Sequence, residues 1–227
     1  DILYLYENRY KKPKEVFKQT IKLIKKKISL NRKLTIGDYG CATGESTYFF
    51  KTKLKNSEIT GYDVSKPLID KAKKKIKNIR FVRGSVLNKK ISRASFNDIS
   101  ICIGVLSLFD SFETFFENLI FWTKPKGKIY VHTFFNKYPI DVNIKYSHSK
   151  NWLYKKPKFF EAGNNIFSIS TISKFLKQRK EIKSFKFREF IMNKDIKKDK
   201  KDPVRAWTAK LENKKAVISG LNVIQTF

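Results

Sequence analysis

The 227-residue chain holds only two cysteines, Cys41 and Cys102, far apart in sequence. That number and spacing exclude a disulfide framework and a cysteine-based metal cluster, and no metal is expected. No apolar run approaches the ~20 residues that span a bilayer, and no secretory leader pattern is visible at the start. A reducing cytoplasm is the expected compartment. Acid is scarce: 20 Asp and Glu face 50 Lys and Arg, a formal charge of +30. Arginine is scarcer still, 8 residues against 42 lysines. Arginine is the side chain that clamps phosphate bidentately and reads base edges, so the charge alone does not describe a reader of nucleic-acid sequence. Two origins of the charge stay open. One is a composition bias that also enriches Ile, Asn, Phe and Tyr; the other is selected binding of a polyanion.

What is present is enough for a core, since 41% of the residues are hydrophobic. The length suggests one domain, or one domain with an appendage. Val16, Phe17, Ile21, Ile24 and Ile28 recur at helical spacing and predict an amphipathic helix. Short apolar runs at 34–38, 58–63, 79–82 and 98–103 read as strands, and KIYVHTFF from Lys128 as a fifth. Helical patterns lie between them, over 45–54, over 66–77 behind a Ser65 cap with Pro67 in the first turn, and over 112–120. This alternation argues for a parallel sheet covered by helices on both faces. From 136 to 167 the periodicity stops, and a segment that long suggests a lid. A helix is predicted over 173–179, a strand over 185–192, and a hairpin from RAWTAKL and KAVISG.

In such sheets ligands sit beyond the carboxyl ends of the strands, where strand order reverses. The bend DYGCATGES follows the first strand. Gly40 and Gly44 let the backbone turn sharply and let a ligand approach with no Cβ in the way, and N–H groups opening the next helix face it. Asp63 closes the second strand, 25 residues after Asp38. A carboxylate there can accept both hydroxyls of a ribose. Bend and acid together point to an adenosine-containing cofactor. The spacing G-C-A-T-G differs from the dinucleotide fingerprint G-x-G-x-x-G.

LTIGDYGCATGES resembles the first motif of the class I S-adenosylmethionine-dependent methyltransferases, D-x-G-x-G-x-G, with Asp38, Gly40, Ala42 and Gly44 at its positions and alanine for the middle glycine. Asp63, followed by Val64, resembles the ribose acid. Ser85 and Val86 fall where an Asp often meets the adenine amino group, so the adenine contact departs from the pattern. Asp98 and the strand ending at Ile103 and Gly104 resemble the fourth motif, and KPKGKI the turn before the fifth strand. The resemblance covers about residues 34–135. It implies an α/β Rossmann-like fold, a doubly wound, mostly parallel seven-stranded sheet with an antiparallel C-terminal hairpin. It implies a single methyltransferase domain over 1–227, with a helical cap about 1–30 and a substrate lid about 136–168. S-adenosyl-L-methionine is the implied cofactor and S-adenosyl-L-homocysteine its product.

The acceptor is read less directly. His132 and His148 are the histidines, candidates for a general base, each also readable as a structural or solvated residue. Asp110, Asn136 and Asp141 are further candidates. Tyr138, Tyr146, Trp152 and Tyr154 could roof an acceptor pocket, with Tyr4, Tyr6 and Tyr10 closing the cofactor side, or all could simply pack. An (N/D)-P-P-(Y/F) tetrapeptide, which goes with methylation of base amines, does not follow the fourth strand; IGVLSLFD stands there. The expected function is methyl transfer to O or N of a small metabolite, such as a sugar or acid precursor. The alternatives are an RNA methyltransferase using the lysines to hold the backbone, and a binding domain without turnover. RNA as substrate predicts basic residues around the pocket mouth.

Overall fold

The computed structural model describes residues 2–6, 8–29, 32–146, 162–189, 195–198, 207–211 and 214–218. The chain divides into two compact units, Asp1–Phe187 and Arg188–Phe227. The first unit opens with helices α1 (Ile2–Tyr6) and α2 (Glu15–Lys27). It continues β1 (Leu34–Tyr39), α3 (Glu45–Lys53), β2 (Ser57–Asp63), α4 (Lys66–Lys75), β3 (Arg80–Arg83), β4 (Asn97–Ile103), α5 (Glu113–Trp122) and β5 (Thr123–His132). These strands form one parallel sheet in the order β3-β2-β1-β4-β5. Among the described residues the central sheet therefore has five strands, and the expected seven are not found. The strand order reverses between β1 and β4, which are parallel neighbours.

Alternation along the strands divides two cores. Leu34 and Ile36 of β1 and Ile99 and Ile101 of β4 face Phe17, Ile21 and Ile24 of α2 and Phe50 of α3. Tyr39 of β1 and Cys102 of β4 face Phe115, Phe116, Leu119 and Trp122 of α5. Each such side chain, removed from water, contributes about 1.5–3 kcal/mol. β4 is buried on nearly its whole length, as its continuous apolar run predicts. On the α5 side Tyr39 stacks between Tyr62 and Trp122, at centroid distances of 4.8 and 4.4 Å. Asp98, at the amino end of β4, is a buried hub. It accepts from Arg32 (2.8 Å), from the Thr35 backbone and hydroxyl (2.8 Å each) and from Lys124 (3.2 Å). These donors hold its carboxyl far below the usual range, against the opposing effect of burial. It sits at the edge of the sheet opposite the strand ends and acts as a brace.

The KPKG turn lies inside β5 as a long bulge, with Asn97 opposite Thr123 and Ile99 opposite Lys128. Lys126 adopts φ 65° there. A non-glycine residue in the left-handed region costs about 1–2 kcal/mol, part of which glycine's unfolded-state freedom gives back. Lys126→Gly is expected to stabilise the domain by about 0.5–1 kcal/mol, read as a higher urea midpoint at unchanged slope.

Beyond β5 the chain makes an excursion whose ends close on each other. β6 (Phe135–Asn136) pairs with β9 (Phe167–Ser168), Val142 bridges Ile166, and β7 (Lys145–Tyr146) pairs with β8 (Ala162–Gly163). Helix α6 (Ile169–Lys177) follows, capped by Ser168, and packs Ile172, Phe175 and Leu176 into the α5-side core. The strand predicted over 185–192 is absent over its described part, 185–189. Phe187 instead sets its ring edge-on to Phe135 at 5.1 Å. In the second unit β10 (Trp207–Leu211) and β11 (Lys214–Ile218) form the predicted antiparallel hairpin, as a two-stranded sheet of its own.

Candidate functional site

All five strands end at one edge, and the bend after β1 lies at the reversal point. Its backbone donors are largely spent on the protein. Gly40 and Cys41 N–H both donate to the Tyr62 carbonyl (2.7 and 3.0 Å), and Gly44 N–H to Cys41 O (2.9 Å). The bend's own N–H groups are thus turned inward, and the bend itself supplies shape. Both glycines also answer to internal packing. A Cβ on Gly40, where φ is 79°, would lie 2.2 Å from Val105 Cγ2 in the loop after β4. One on Gly44 would lie 2.7 Å from the Phe81 ring. Gly104, just past β4 with φ 72°, differs: a Cβ there meets no atom within 4 Å. Its N–H donates to the carbonyl of His132, which closes β5 (2.8 Å). The open volume at the strand ends therefore borders Gly104, while Gly40 closes against Val105.

Asp63, at the end of β2, joins the bend to the next helix. One carboxylate oxygen accepts from Ala42 N–H and the other from Ser65 N–H, both at 2.9 Å. Ser65 precedes α4, but its hydroxyl makes no cap bond, contrary to the predicted cap; the Asp63 carboxylate takes its backbone N–H instead. Each carboxylate oxygen has a second lone pair, so the group can accept two more donors. Val64 and Leu87, beside it on the exits of β2 and β3, expose apolar surface at 60% and 40%. Asp38 is buried beneath the bend and accepts from Ser46 and Thr47 hydroxyls at the start of α3, both at 2.7 Å. Burial raises its pKa to about 6, against the lowering effect of these two bonds.

A glycine bend, a bridging strand-end acid and an open glycine at the β4 exit occupy one edge of a sheet ordered 3-2-1-4-5. The family described as "Methyltransferase domain" matches residues 36–127. Residues 36–127 thus match a methyltransferase domain, the family whose first motif the bend resembles. The malonyl-[acyl-carrier protein] O-methyltransferase of Priestia megaterium is 29% identical over 152 residues, 65% of this chain and 54% of that protein. The chain thus spans about half the length of the curated relative it matches. Among solved structures, coclaurine N-methyltransferase bound to N-methylheliamine and SAH superposes with TM-score 0.57 at 15% identity, over 77% of this chain and 56% of that one. A putative sarcosine dimethylglycine methyltransferase from Galdieria sulphuraria gives 0.53 at 13% identity, over 76% and 66%. At these identities the two structures speak for the fold.

Ser85 shapes the exit of β3, its hydroxyl accepting from Leu87 N–H (3.2 Å). Val86 is core, and its carbonyl accepts from Asn118. Ile103 is half-buried against the α2-side core. Cys41 is buried among Ile69, Ala72, Ile76 and Phe81, and burial pushes its thiol pKa well up. Tyr10 lies against the bend: its hydroxyl donates to Thr43 O (2.7 Å), its ring meets Tyr48 edge-on, and Lys75 stands 4.0 Å over it. Burial first, then Glu45, raises its pKa to about 12. Beside it Arg9 N–H donates to Glu45 (2.6 Å), so the segment before α2 is latched to the bend. His132 ends β5 at the open edge, its pKa lowered by burial.

On the acceptor side several candidates are spent on structure. Asp141 accepts from Thr171 Oγ1 (2.8 Å) and from Ser168 N–H at the start of α6. Asn136 accepts from Tyr138 N–H (3.1 Å), a local turn that leaves Tyr138 exposed. Asp110 pairs with Lys145 and Asn165. His148, Trp152 and Tyr154 lie outside the described residues, as does the side chain of Tyr146. The residue missed by sequence reading is Asn165. It is buried and its amide donates to Phe109 O (2.7 Å) and Asp110 (3.0 Å). It accepts from Ile144 N–H (3.1 Å), and its own N–H donates to Ser107 O (2.7 Å). It staples the 136–168 excursion to the loop after β4. A lone asparagine in an aperiodic stretch carries no sequence signal of that role.

Proposed function

We propose that the protein transfers the methyl group of S-adenosylmethionine to an O or N atom of a small acceptor. The observation that carries this reading is the open space at Gly104, on the same sheet edge as a strand-end carboxylate with lone pairs to spare. In the proposed arrangement Asp63 accepts the ribose hydroxyls, and Val64 and Leu87 flank the adenine. Ser85 and Val86 shape the adenine end, Asp38, Gly40, Ala42 and Gly44 set the bend, and Ile103 and Gly104 border the methionine end. The donor, when bound, supplies an activated methyl group on a sulfonium. The chain's task is alignment and exclusion of water. An acceptor taking that methyl group would give up its proton to a base of the chain or to solvent. His132, at the same edge and biased toward its neutral form by burial, is the candidate to accept that proton. Tyr10 acts by latching the bend, and the excursion over 136–168 forms the acceptor side.

IGVLSLFD stands after β4 in place of the (N/D)-P-P-(Y/F) tetrapeptide that goes with methylation of base amines, which supports a small acceptor. An oxygen acceptor on an acid would parallel the O-methyltransferase of Priestia megaterium. Asp63→Ala is expected to weaken S-adenosylhomocysteine binding by about 1–3 kcal/mol, measured by titration calorimetry. Asp63→Asn keeps one acceptor oxygen and should fall between. Wild-type affinity in the alanine variant would remove Asp63 from the site, and no heat with the unmodified protein would remove the function.

A further inference from the structure

Of the glycines at the strand exits, Gly40, Gly44 and Gly84 would each bring a Cβ to within 3.0 Å of a protein atom, while one on Gly104 would meet nothing within 4 Å. The chain that follows Gly104 borders that space, and it does little to hold itself. Its internal bonds are Leu108 N–H to Val105 O (3.0 Å) and Phe109 N–H to Leu106 O (3.2 Å), in a single 3-10 turn over Leu106–Leu108. Such turns have poor hydrogen-bond geometry. Leu106 anchors the middle of the loop in the α5-side core. Two further contacts fix it from either side. On the bend side Val105 Cγ2 lies only 2.2 Å from where a Cβ of Gly40 would stand. On the other side stands Asn165. Its backbone N–H donates to Ser107 O (2.7 Å), and its amide donates to Phe109 O (2.7 Å) and the Asp110 carboxylate (3.0 Å). Its amide oxygen accepts from Ile144 N–H (3.1 Å), and Lys145 shares the same Asp110 oxygen.

We infer that Asn165 is a positioning residue of the proposed methyl-transfer site: it sets the loop after β4 in the course that keeps the space at Gly104 open, and so ties the excursion to donor binding. This rests on the methyltransferase reading. A staple that served stability alone would not need to be polar. Asn165 is 1% exposed, and burying an amide costs free energy that burying an apolar side chain does not. What the amide contributes is a fixed geometry. Its donors meet acceptors on the loop and its oxygen meets a donor on the excursion, so a fully satisfied network locks the two in one register. Its loop partners, residues 107, 109 and 110, follow closely on Gly104 and Val105. Loss of the amide would free the loop while Leu106 keeps its apolar contacts. A freed loop visits other courses, and donor affinity falls with the fraction of time spent in the competent one.

The test is titration calorimetry with S-adenosylhomocysteine on the full chain, beside urea denaturation. In Asn165→Ala, a loop that holds the competent course about a tenth of the time lowers affinity about tenfold. Ile24→Val, a change in the α2-side core, should lower the urea midpoint and leave affinity as it is, which separates lost binding from lost stability. Asn165→Asp keeps the shape and an acceptor for Ile144 N–H. Ionised, its carboxyl has no donor for Phe109 O and faces Asp110, with Lys145 the other charged group there. Protonated, it regains one O–H donor, and burial favours that form. Its affinity, taken as a ratio to the unmodified protein at each pH so that Asp38 cancels, should be about tenfold low at pH 8 and recover at pH 5. A folded Asn165→Ala protein with unmodified affinity would overturn the inference and leave Asn165 a structural staple. Equal loss of affinity in Ile24→Val would do the same. Should Asn165→Ala not fold, a flat pH ratio for Asn165→Asp overturns it. No heat with the unmodified protein would instead remove the methyltransferase reading, and the inference with it.

Discussion

Gly40→Val is expected to cost about 3 kcal/mol or more of folding stability and to abolish donor binding with it. Two terms add. A β-branched residue at φ 79° sits in the left-handed region at about 1–2 kcal/mol. Its Cβ must also displace Val105, from which the ideal position is only 2.2 Å, and forcing extra carbons into a packed site costs a further 1–3 kcal/mol or so. Gly104→Ala is the informative partner. It carries about the same strain at φ 72°, but its methyl meets no protein atom. That variant should remain folded, about 1 kcal/mol less stable, and lose S-adenosylhomocysteine affinity by roughly tenfold, since about 1.4 kcal/mol separates decades. Urea denaturation reads the first quantity and calorimetry the second. Normal donor affinity in a folded Gly104→Ala protein would show that the open volume is not where the donor lies.

These two glycines also show how far the sequence could be read. A missing Cβ looks the same in sequence whether a ligand or a neighbouring side chain requires it. Gly40 was legible as indispensable, but the neighbour that requires it, Val105, is 65 residues away and invisible to local pattern. Asp63 was legible as a strand-end acid; that it clamps Ala42 and Ser65 N–H groups was not. The five parallel strands followed from apolar runs alternating with helical periodicity, because both are local. Sheet membership is not local. FKFREF alternates as a strand does, yet over 185–189 no ladder forms, and Phe187 meets Phe135 through its ring. The hairpin was legible from its turn, but that it pairs only with itself among the described residues was not, because no turn specifies further partners.

Asp38 carries the second large effect, and it is a pH effect. Its folded pKa is raised to about 6 from 3.8, chiefly by burial. Folding therefore favours the protonated acid. Between about pH 4 and 6 the native state holds a proton that the unfolded state has released, and stability falls as pH rises through that window. The loss is complete above it and amounts to about 3 kcal/mol. Asp38→Asn keeps a carbonyl oxygen for the Ser46 and Thr47 hydroxyls and removes the charge. The variant should lack this part of the pH dependence, and near pH 8 it should be the more stable protein. The difference between the two denaturation series, taken from pH 4 to 8, isolates the group from the other carboxylates. A charge kept at such cost needs a return, and the proposed donor offers one, because its sulfonium is a cation. Asp38→Asn should then weaken S-adenosylmethionine binding more than binding of S-adenosylhomocysteine, which lacks that charge. A more stable variant that weakens both equally would make Asp38 a brace for α3 and nothing more.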